Sequence, residues 1–218
     1  MNKKLIVIIA SAALVAAFVL GISLYKAQRA QSLDFLSQEN VSTFVRPHSH
    51  KIGPEDAKVY LVEFMDPACE TCRVFSSHVH NLMAENAGKI RLIIRYAPFH
   101  QGSDTMVKIL EAAGKQGKYW ETLDVMFRSQ RYWASHHRPQ LQKIWQFLPE
   151  VGLDIEKIKK DMNDPAIARL IEQDLADSKT LNVRKTPGFF VNGKPLQTFG
   201  YRQLQQLVLS EIRAIYPD

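Results

Sequence analysis

Two spacings of hydrophobic residues alternate along this chain, and they predict different elements. Residues 58–65, KVYLVEFM, are nearly continuous in apolar, β-branched and aromatic side chains, which predicts a buried strand. The next segment places apolar residues at helical spacing up to Gly88, and residues 89–99, KIRLIIRYAPF, predict a second strand. The order strand, helix, strand indicates a βαβ unit.

The middle of the chain, about residues 104–181, contains several blocks with apolar residues three and four positions apart, separated by glycine and proline. This pattern predicts a helical subdomain. Asn192-Gly193 then joins two short apolar runs, which predicts a β-hairpin, and residues 201–216 predict an amphipathic helix. We therefore expect an α/β domain over residues 46–218, with the helical subdomain inserted between a βαβ unit and a hairpin–helix unit.

The N-terminal segment has a different pattern. Residues 5–25 carry no charge, and as a helix of about 30 Å they are long enough to cross the hydrocarbon core of a membrane. Since residues 1–4 are short and basic, we expect residues 1–25 to form a cytoplasmic stub and a transmembrane signal anchor. A cleaved signal peptide is the alternative, which would leave a soluble periplasmic protein. Residues 26–45 are expected to form a stalk.

Both alternatives export the rest of the chain. In a bacterium the domain would face the periplasm or the outside, and the anchored form would be a single-pass protein of the inner membrane. Thiols in those compartments can be oxidised. The compartment therefore bears directly on how the cysteines are interpreted.

The net charge of +6 does not indicate nucleic-acid binding. Four basic residues and no acidic ones lie in residues 1–30, so a charge of only +2 remains for the rest of the chain, where acids and bases are interspersed. A nucleic-acid-binding domain would need a basic cluster there. We therefore expect no nucleic-acid partner.

The chain has only two cysteines, Cys69 and Cys72, in the sequence PACETC. They lie at the predicted turn from the first strand to the first helix, and a C-x-x-C next to a βαβ unit is typical of a redox pair. A helix N-terminus stabilises an anion, so we expect Cys69 to be an exposed attacking thiolate of lowered pKa. Cys72, one turn further on, would close or resolve the disulfide.

Three other roles are open to a C-x-x-C pair. A structural disulfide would close a ring too small to constrain the unfolded chain much. A structural zinc site usually needs four ligands, and no further cysteine exists. Thiolates also suit Cu(I), so a membrane-tethered copper-handling protein that uses the pair and nearby histidines is the second hypothesis.

Two further positions fit a redox site. Glu63 stands in the middle of the first apolar strand, either at a sheet edge or buried beneath the cysteines. If buried, it would have a raised pKa and could exchange a proton with Cys72. Thr186-Pro187 directly precedes a predicted strand, and a cis peptide there would leave the backbone of Thr186 free to pair with an extended substrate.

The histidines carry weaker signals. We expect His48 and His50 in the loop before the domain, and His78 and His80 on the first helix, where their spacing makes them point apart. The pair His136-His137 is expected in a loop between helices. Solvated or capping roles are favoured for all of them, and His100 is the histidine expected nearest the active site.

The segments VEFMDPACETC, RYAPFH, GKQGKYWETLDVMF and VRKTPGFFVNGKPL, in this order, resemble the DsbA-like thiol–disulfide oxidoreductases of the thioredoxin superfamily. The resemblance extends from about Arg46 to Ile215. It implies a thioredoxin fold with a helical insertion, Cys69 as nucleophile, Cys72 as resolving cysteine and Pro187 as a cis proline facing them. It also matches Glu63 to the family's buried carboxylate.

The resemblance also implies partners: unfolded or partly folded exported proteins as substrates, and a membrane protein that reoxidises or reduces the cysteines. It implies no cofactor and no metal. The chain departs from the strongest oxidants of the family, which have Pro-His where this chain has Glu70-Thr71. We therefore expect a higher Cys69 pKa and a weaker oxidant than those members, whose potential is about −120 mV. Thr186 resembles the isomerase and reductase branches more closely, so the direction of the reaction stays open.

Overall fold

The computed structural model describes residues 11–24, 41–134 and 140–216 of the chain. The chain divides into two compact units, Met1–Val41 and Ser42–Asp218. In the first unit, residues 11–24 are helical and exposed. Within the three described ranges, no helix combines the length and the apolar character that crossing a membrane requires. Of the predicted span over residues 5–25, only residues 11–24 are among the described residues. Most of the predicted stalk, residues 26–45, also lies outside them.

The second unit is built on a mixed sheet of five strands, counted over the described residues, in the order β1-β3-β2-β4-β5. The strands are β1 (His50–Ile52), β2 (Val59–Met65), β3 (Ile90–Tyr96), β4 (Gly188–Val191) and β5 (Lys194–Pro195). Strands β2 and β3 are parallel, and the other neighbours are antiparallel. The two long strands and the hairpin confirm the sequence prediction. Strand β1 was wrongly expected to be loop, because three residues with two polar side chains give no periodic signal.

The helices also follow the predicted order. Helix α1 (Val41–Phe44) precedes the sheet, and α2 (Glu70–Glu85) connects β2 to β3. The insertion contains α3 (Ser103–Gly114), α4 (Tyr119–Trp133), α5 (Leu141–Ile144), a 3₁₀ turn (Leu148–Val151), α6 (Ile155–Asp161) and α7 (Pro165–Thr180). Helix α8 (Tyr201–Ile215) ends the domain. The α/β fold with an inserted helical subdomain is therefore confirmed.

Strand β2 lies in the middle of the sheet and is buried on both faces. Its residues Val59, Leu61 and Met65 belong to the larger hydrophobic cluster, which includes residues of α2, α4 and α8. Val62 and Phe64 belong to a smaller cluster on the opposite face. Because side chains alternate along a strand, residue 63 faces the larger cluster, the one that also contains both cysteines.

A buried ionic cluster holds the helical insertion against the sheet. The guanidinium of Arg95, on β3, lies 2.6 Å from a carboxylate oxygen of Asp174 and 2.6 Å from one of Asp177, both on α7. Asp174 also accepts a hydrogen bond from the backbone N–H of Tyr96, and Asp177 pairs with Arg46 at 2.8 Å. The position of α7 is thus fixed by charges that are almost fully shielded from water.

Candidate active site

The two cysteines lie at the start of α2, as the sequence predicts. Cys69 is the N-cap residue of this helix, and its Sγ accepts a hydrogen bond from the backbone N–H of Cys72 at 3.4 Å. Both thiols are free and buried. The expectation that Cys69 is exposed is wrong, since only 4% of the residue is accessible. The backbone of Thr186 covers it, with the carbonyl oxygen 3.4 Å from Sγ.

Asp66 holds the turn that leads from β2 to Cys69. Its carboxylate is fully buried and accepts a hydrogen bond from the backbone N–H of Ala68 at 2.8 Å. It also accepts hydrogen bonds from the Ser103 hydroxyl, from the backbone N–H of His100, and lies 2.7 Å from Nδ1 of His100. His100 is therefore next to the active-site turn, where it supports the turn through Asp66.

The surroundings of the two thiols drive their pKa values apart. A hydrogen bond from the Cys72 side chain, together with the Thr186 side chain and the backbone N–H groups of Cys72 and Thr71, lowers the pKa of Cys69 from 9.0 to about 5. Burial raises the pKa of Cys72 well above 9.0, and the neighbouring charges of Glu63 and Cys69 raise it further. At neutral pH the pair therefore holds one thiolate, on Cys69, and one thiol, on Cys72.

Glu63 lies in the larger core cluster beside the cysteines, not at a sheet edge. Only 3% of the residue is accessible, and its Oε1 atom is buried without a hydrogen-bond partner. Burial, and then the negative charge of Cys69, raises the pKa of Glu63 from 4.5 to about 8. The carboxyl group is therefore protonated at neutral pH and can act as a proton donor.

The Thr186-Pro187 peptide bond is cis. It lies directly before β4, whose Phe189 pairs with Glu63 across the sheet, so the loop is brought against the cysteines. Gly188 also lets the strand start pack closely against Val183, because a Cβ atom there would lie 2.7 Å from Cγ1 of Val183. The cis peptide bond agrees with the sequence prediction, and Thr186 of this loop contacts Cys69.

Like Asp66, Gln130 contacts the active-site turn directly and was missed by sequence reasoning. Gln130, on α4 of the helical insertion, is 1% accessible. Its side-chain amide donates to the carbonyl oxygens of Pro67 at 2.8 Å and Cys69 at 3.0 Å, and accepts from Nε of Arg73 at 3.1 Å. The signal available in the sequence was spacing: Gln130 lies four positions after the apolar Met126, so it shares the core-facing side of the helix.

Most of the described histidines have specific partners. His48 lies 2.7 Å from Asp174, and His50 lies 2.8 Å from Glu111. His50 begins strand β1, so its predicted place in a loop is wrong. His78 stacks on Tyr201. His136 and His137 lie outside the described residues.

Metal ligands do not converge in the described part of the chain. No group of three or more histidine, cysteine, aspartate or glutamate side chains there is arranged to hold a metal ion. The two cysteines contact each other, Cys69 also contacts Thr186, and the histidines discussed above contact carboxylates or aromatic rings. The copper-handling alternative is therefore not favoured.

Comparison with known proteins identifies the family. A model of the thioredoxin family, described as "Thioredoxin", matches residues 46–209. The chain is 32% identical over 148 residues to a Na⁺/H⁺ antiporter NhaA of Herminiimonas arsenicoxydans, covering 68% of this chain but only 23% of the antiporter. It is 29% identical over 160 residues to a probable disulfide bond formation protein D of Bacillus cereus, covering 69% and 73% of the two chains.

Solved structures agree with this result. A thioredoxin-like oxidoreductase from Silicibacter pomeroyi superposes with a TM-score of 0.68 at 27% identity, over 79% of this chain and 96% of the other. Structures of DsbA proteins share the fold at 20% identity or less. The chain therefore belongs to the thioredoxin family, and its α/β fold with a helical insertion is that of the DsbA-like thiol–disulfide oxidoreductases.

Proposed function

We propose that this protein exchanges disulfides with other proteins through Cys69 and Cys72. The observation that carries this proposal is the contrast between the thiols: a thiolate on Cys69, with a pKa of about 5, one helical turn from a thiol on Cys72, whose pKa is raised well above 9.0. A low pKa makes Cys69 a good leaving group and nucleophile near neutral pH. An inert structural disulfide needs no such contrast.

In the oxidising direction, a substrate thiolate attacks Sγ of Cys69 in the enzyme disulfide. The Cys69–Cys72 bond breaks, Cys72 leaves as a thiolate, and Glu63 gives it a proton. A second substrate thiolate then attacks the substrate sulfur of the mixed disulfide, and Cys69 leaves as a thiolate. The substrate gains a disulfide and loses two electrons, which the cysteine pair gains. The same steps in reverse reduce a substrate disulfide.

Thr186 and Pro187 bind the substrate in this scheme. The carbonyl oxygen of Thr186 lies 3.4 Å from Sγ of Cys69, so a substrate backbone that pairs with residue 186 would bring its cysteine to Cys69. Recognition through the backbone suits unfolded or partly folded chains of many sequences. We propose such chains as the substrates.

We also propose that the domain acts outside the cytoplasm and depends on a membrane redox partner. The proposal is supported by the charge-free residues 5–25 after a basic start and by the need for an oxidising compartment. Protease added to intact spheroplasts should digest the domain, and the mass of the mature chain distinguishes an uncleaved signal anchor from a cleaved signal peptide. Protection from protease until the cells are lysed would contradict export.

The exchange reaction itself is tested with a reduced two-cysteine peptide as substrate and oxidised glutathione as the terminal oxidant. Cys69→Ser should abolish catalysis, because the other cysteine, Cys72, is fully buried and its raised pKa keeps it an unreactive thiol. With a disulfide-bonded peptide as substrate instead, Cys72→Ser should trap the mixed disulfide as a stable covalent complex, because the thiol that would release the peptide from Cys69 is missing. A Cys69→Ser variant that retains the wild-type rate would refute the assignment of the nucleophile.

A further inference from the structure

Glu63 borders a small internal cavity between the sheet and helices α2 and α4. The cavity has a volume of about 10 Å³, close to the lower limit for one water molecule. The unpartnered Oε1 atom of Glu63 is completely buried. A buried carboxyl oxygen without a protein partner is normally satisfied by water, so the geometry favours a water molecule at this place.

The cavity has a polar side that leads along α2 toward solvent. Besides Glu63, its lining includes Ser76, which is half-buried, and His80, which is exposed. The Ser76 hydroxyl oxygen lies 3.5 Å from Nδ1 of His80. The rest of the lining is apolar or aromatic, from β2, β3, α2 and α4. Glu63 and His80 are thus the two titratable side chains of the cavity, one inside the protein and one at its surface.

The spacing of Ser76 and His80 on α2 places both on the helix face that begins at Cys72. Cys72, Ser76 and His80 are four residues apart, so they lie on one face of the helix, one turn above the other. The face begins at the buried thiol of the redox pair and ends in solvent. His78, two residues earlier than His80, points away and stacks on Tyr201.

We propose that His80 and Ser76, with water in the cavity, form the route by which Glu63 exchanges its proton with solvent during disulfide exchange. This inference rests on the proposed function. When the Cys69–Cys72 bond breaks, Glu63 passes its proton to the Cys72 thiolate and becomes a buried carboxylate without a partner. The reduced chain holds protons on both Glu63 and Cys72 at neutral pH, so Glu63 takes up one proton from solvent: His80 accepts it at the surface and passes it inward through Ser76 and water. In the reverse reaction the proton leaves by the same route.

The experiment measures multiple-turnover oxidation of a synthetic two-cysteine peptide by the full-length chain, with oxidised glutathione as the terminal oxidant, near neutral pH and at low buffer concentration. His80→Ala should lower kcat about tenfold with KM unchanged, less than the loss of a direct general acid because water still reaches the cavity. Added imidazole should restore kcat by carrying protons in its place. Ser76→Ala should lower kcat in the same way but less, and the matched control His78→Ala should have the wild-type rate.

A second pair of variants separates proton transfer from a structural role. Glu63→Gln keeps the shape of the side chain but removes the proton that the carboxyl group exchanges. Adding His80→Ala to Glu63→Gln should therefore cause no further loss of kcat. A wild-type kcat for His80→Ala at low buffer, a loss that imidazole does not restore, or an equal loss in the Glu63→Gln background would each overturn the route. Failure of the wild-type chain to turn over at all would instead refute the proposed function.

Discussion

Replacing Glu63 with glutamine should change the pH dependence of stability in a defined way. The folded protein holds the Glu63 proton up to a pH of about 8, whereas an ordinary glutamate releases it at 4.5. Between these values the folded state binds a proton that the unfolded chain has lost, so the stabilising effect is complete below 4.5 and disappears as the pH rises through 8. Glu63→Gln lacks this titration.

The magnitude follows from the same interval. At about 1.4 kcal/mol per pH unit, the rise in pKa from 4.5 to about 8 corresponds to on the order of 5 kcal/mol of pH-dependent stability. The residue is buried in the core, so little of this is lost to solvent screening. Between about pH 5 and about pH 9 the wild-type protein should therefore lose on the order of 4 kcal/mol relative to Glu63→Gln.

Urea unfolding of the reduced chain, with a thiol reductant present, measures this difference. Cys69 titrates in the opposite sense, because its lowered pKa makes stability rise with pH between about 5 and 9.0. Comparing two proteins that both keep Cys69 removes most of that contribution. Glu55→Gln is the matched control, because its carboxylate is 94% exposed, and its curve should parallel the wild type. A parallel curve for Glu63→Gln as well would refute the buried, protonated state of Glu63.

Three further predictions concern the thiols, the turn and the ionic cluster. The rate at which iodoacetamide alkylates Cys69 should rise with pH through about 5 and then level off, while Cys72 stays unreactive. Mass spectrometry of the modified peptides measures both rates. Gln130→Ala should destabilise the protein by about 1–3 kcal/mol, since it removes the donor to two buried carbonyls. It should also shift the pH profile of Cys69 alkylation. The control Gln206→Ala, at an exposed position, should change neither the stability nor the alkylation profile. Arg95→Met should cost about 3–5 kcal/mol in thermal or urea unfolding, because two buried carboxylates lose the guanidinium that they share. A change within error would contradict the role assigned to the cluster.

The central strand and the cysteine turn could be predicted from the sequence because their signals are local. Strand β2 is apolar on both faces, which favours a central place in the sheet and a buried position for Glu63 over a place at a sheet edge. The place of Cys69 at a helix start was predicted separately, from the helical spacing that follows the strand. The order of the helices follows from their apolar spacing and from the glycine and proline residues between them.

The contacts that complete the site could not be predicted, because they join residues far apart in the chain. Gln130 reaches the carbonyl of Cys69 across 61 residues, and Arg95 meets Asp174 across 79. In the sequence these residues look like ordinary polar positions on a helix or strand. The burial of Cys69 was missed although the resemblance placed the loop of Pro187 opposite the cysteines, because the sequence does not show how closely Thr186, 117 residues away, packs on Cys69.

The most direct test of the account is a redox titration of the two cysteines. The purified chain is equilibrated in glutathione buffers of graded potential, the free thiols are alkylated, and the numbers of modified cysteines are counted by mass. We predict a single two-electron transition in which Cys69 and Cys72 change state together, at a potential more reducing than about −120 mV. A chain in which the two cysteines stay reduced, or stay oxidised, across the whole range would contradict a role in disulfide exchange.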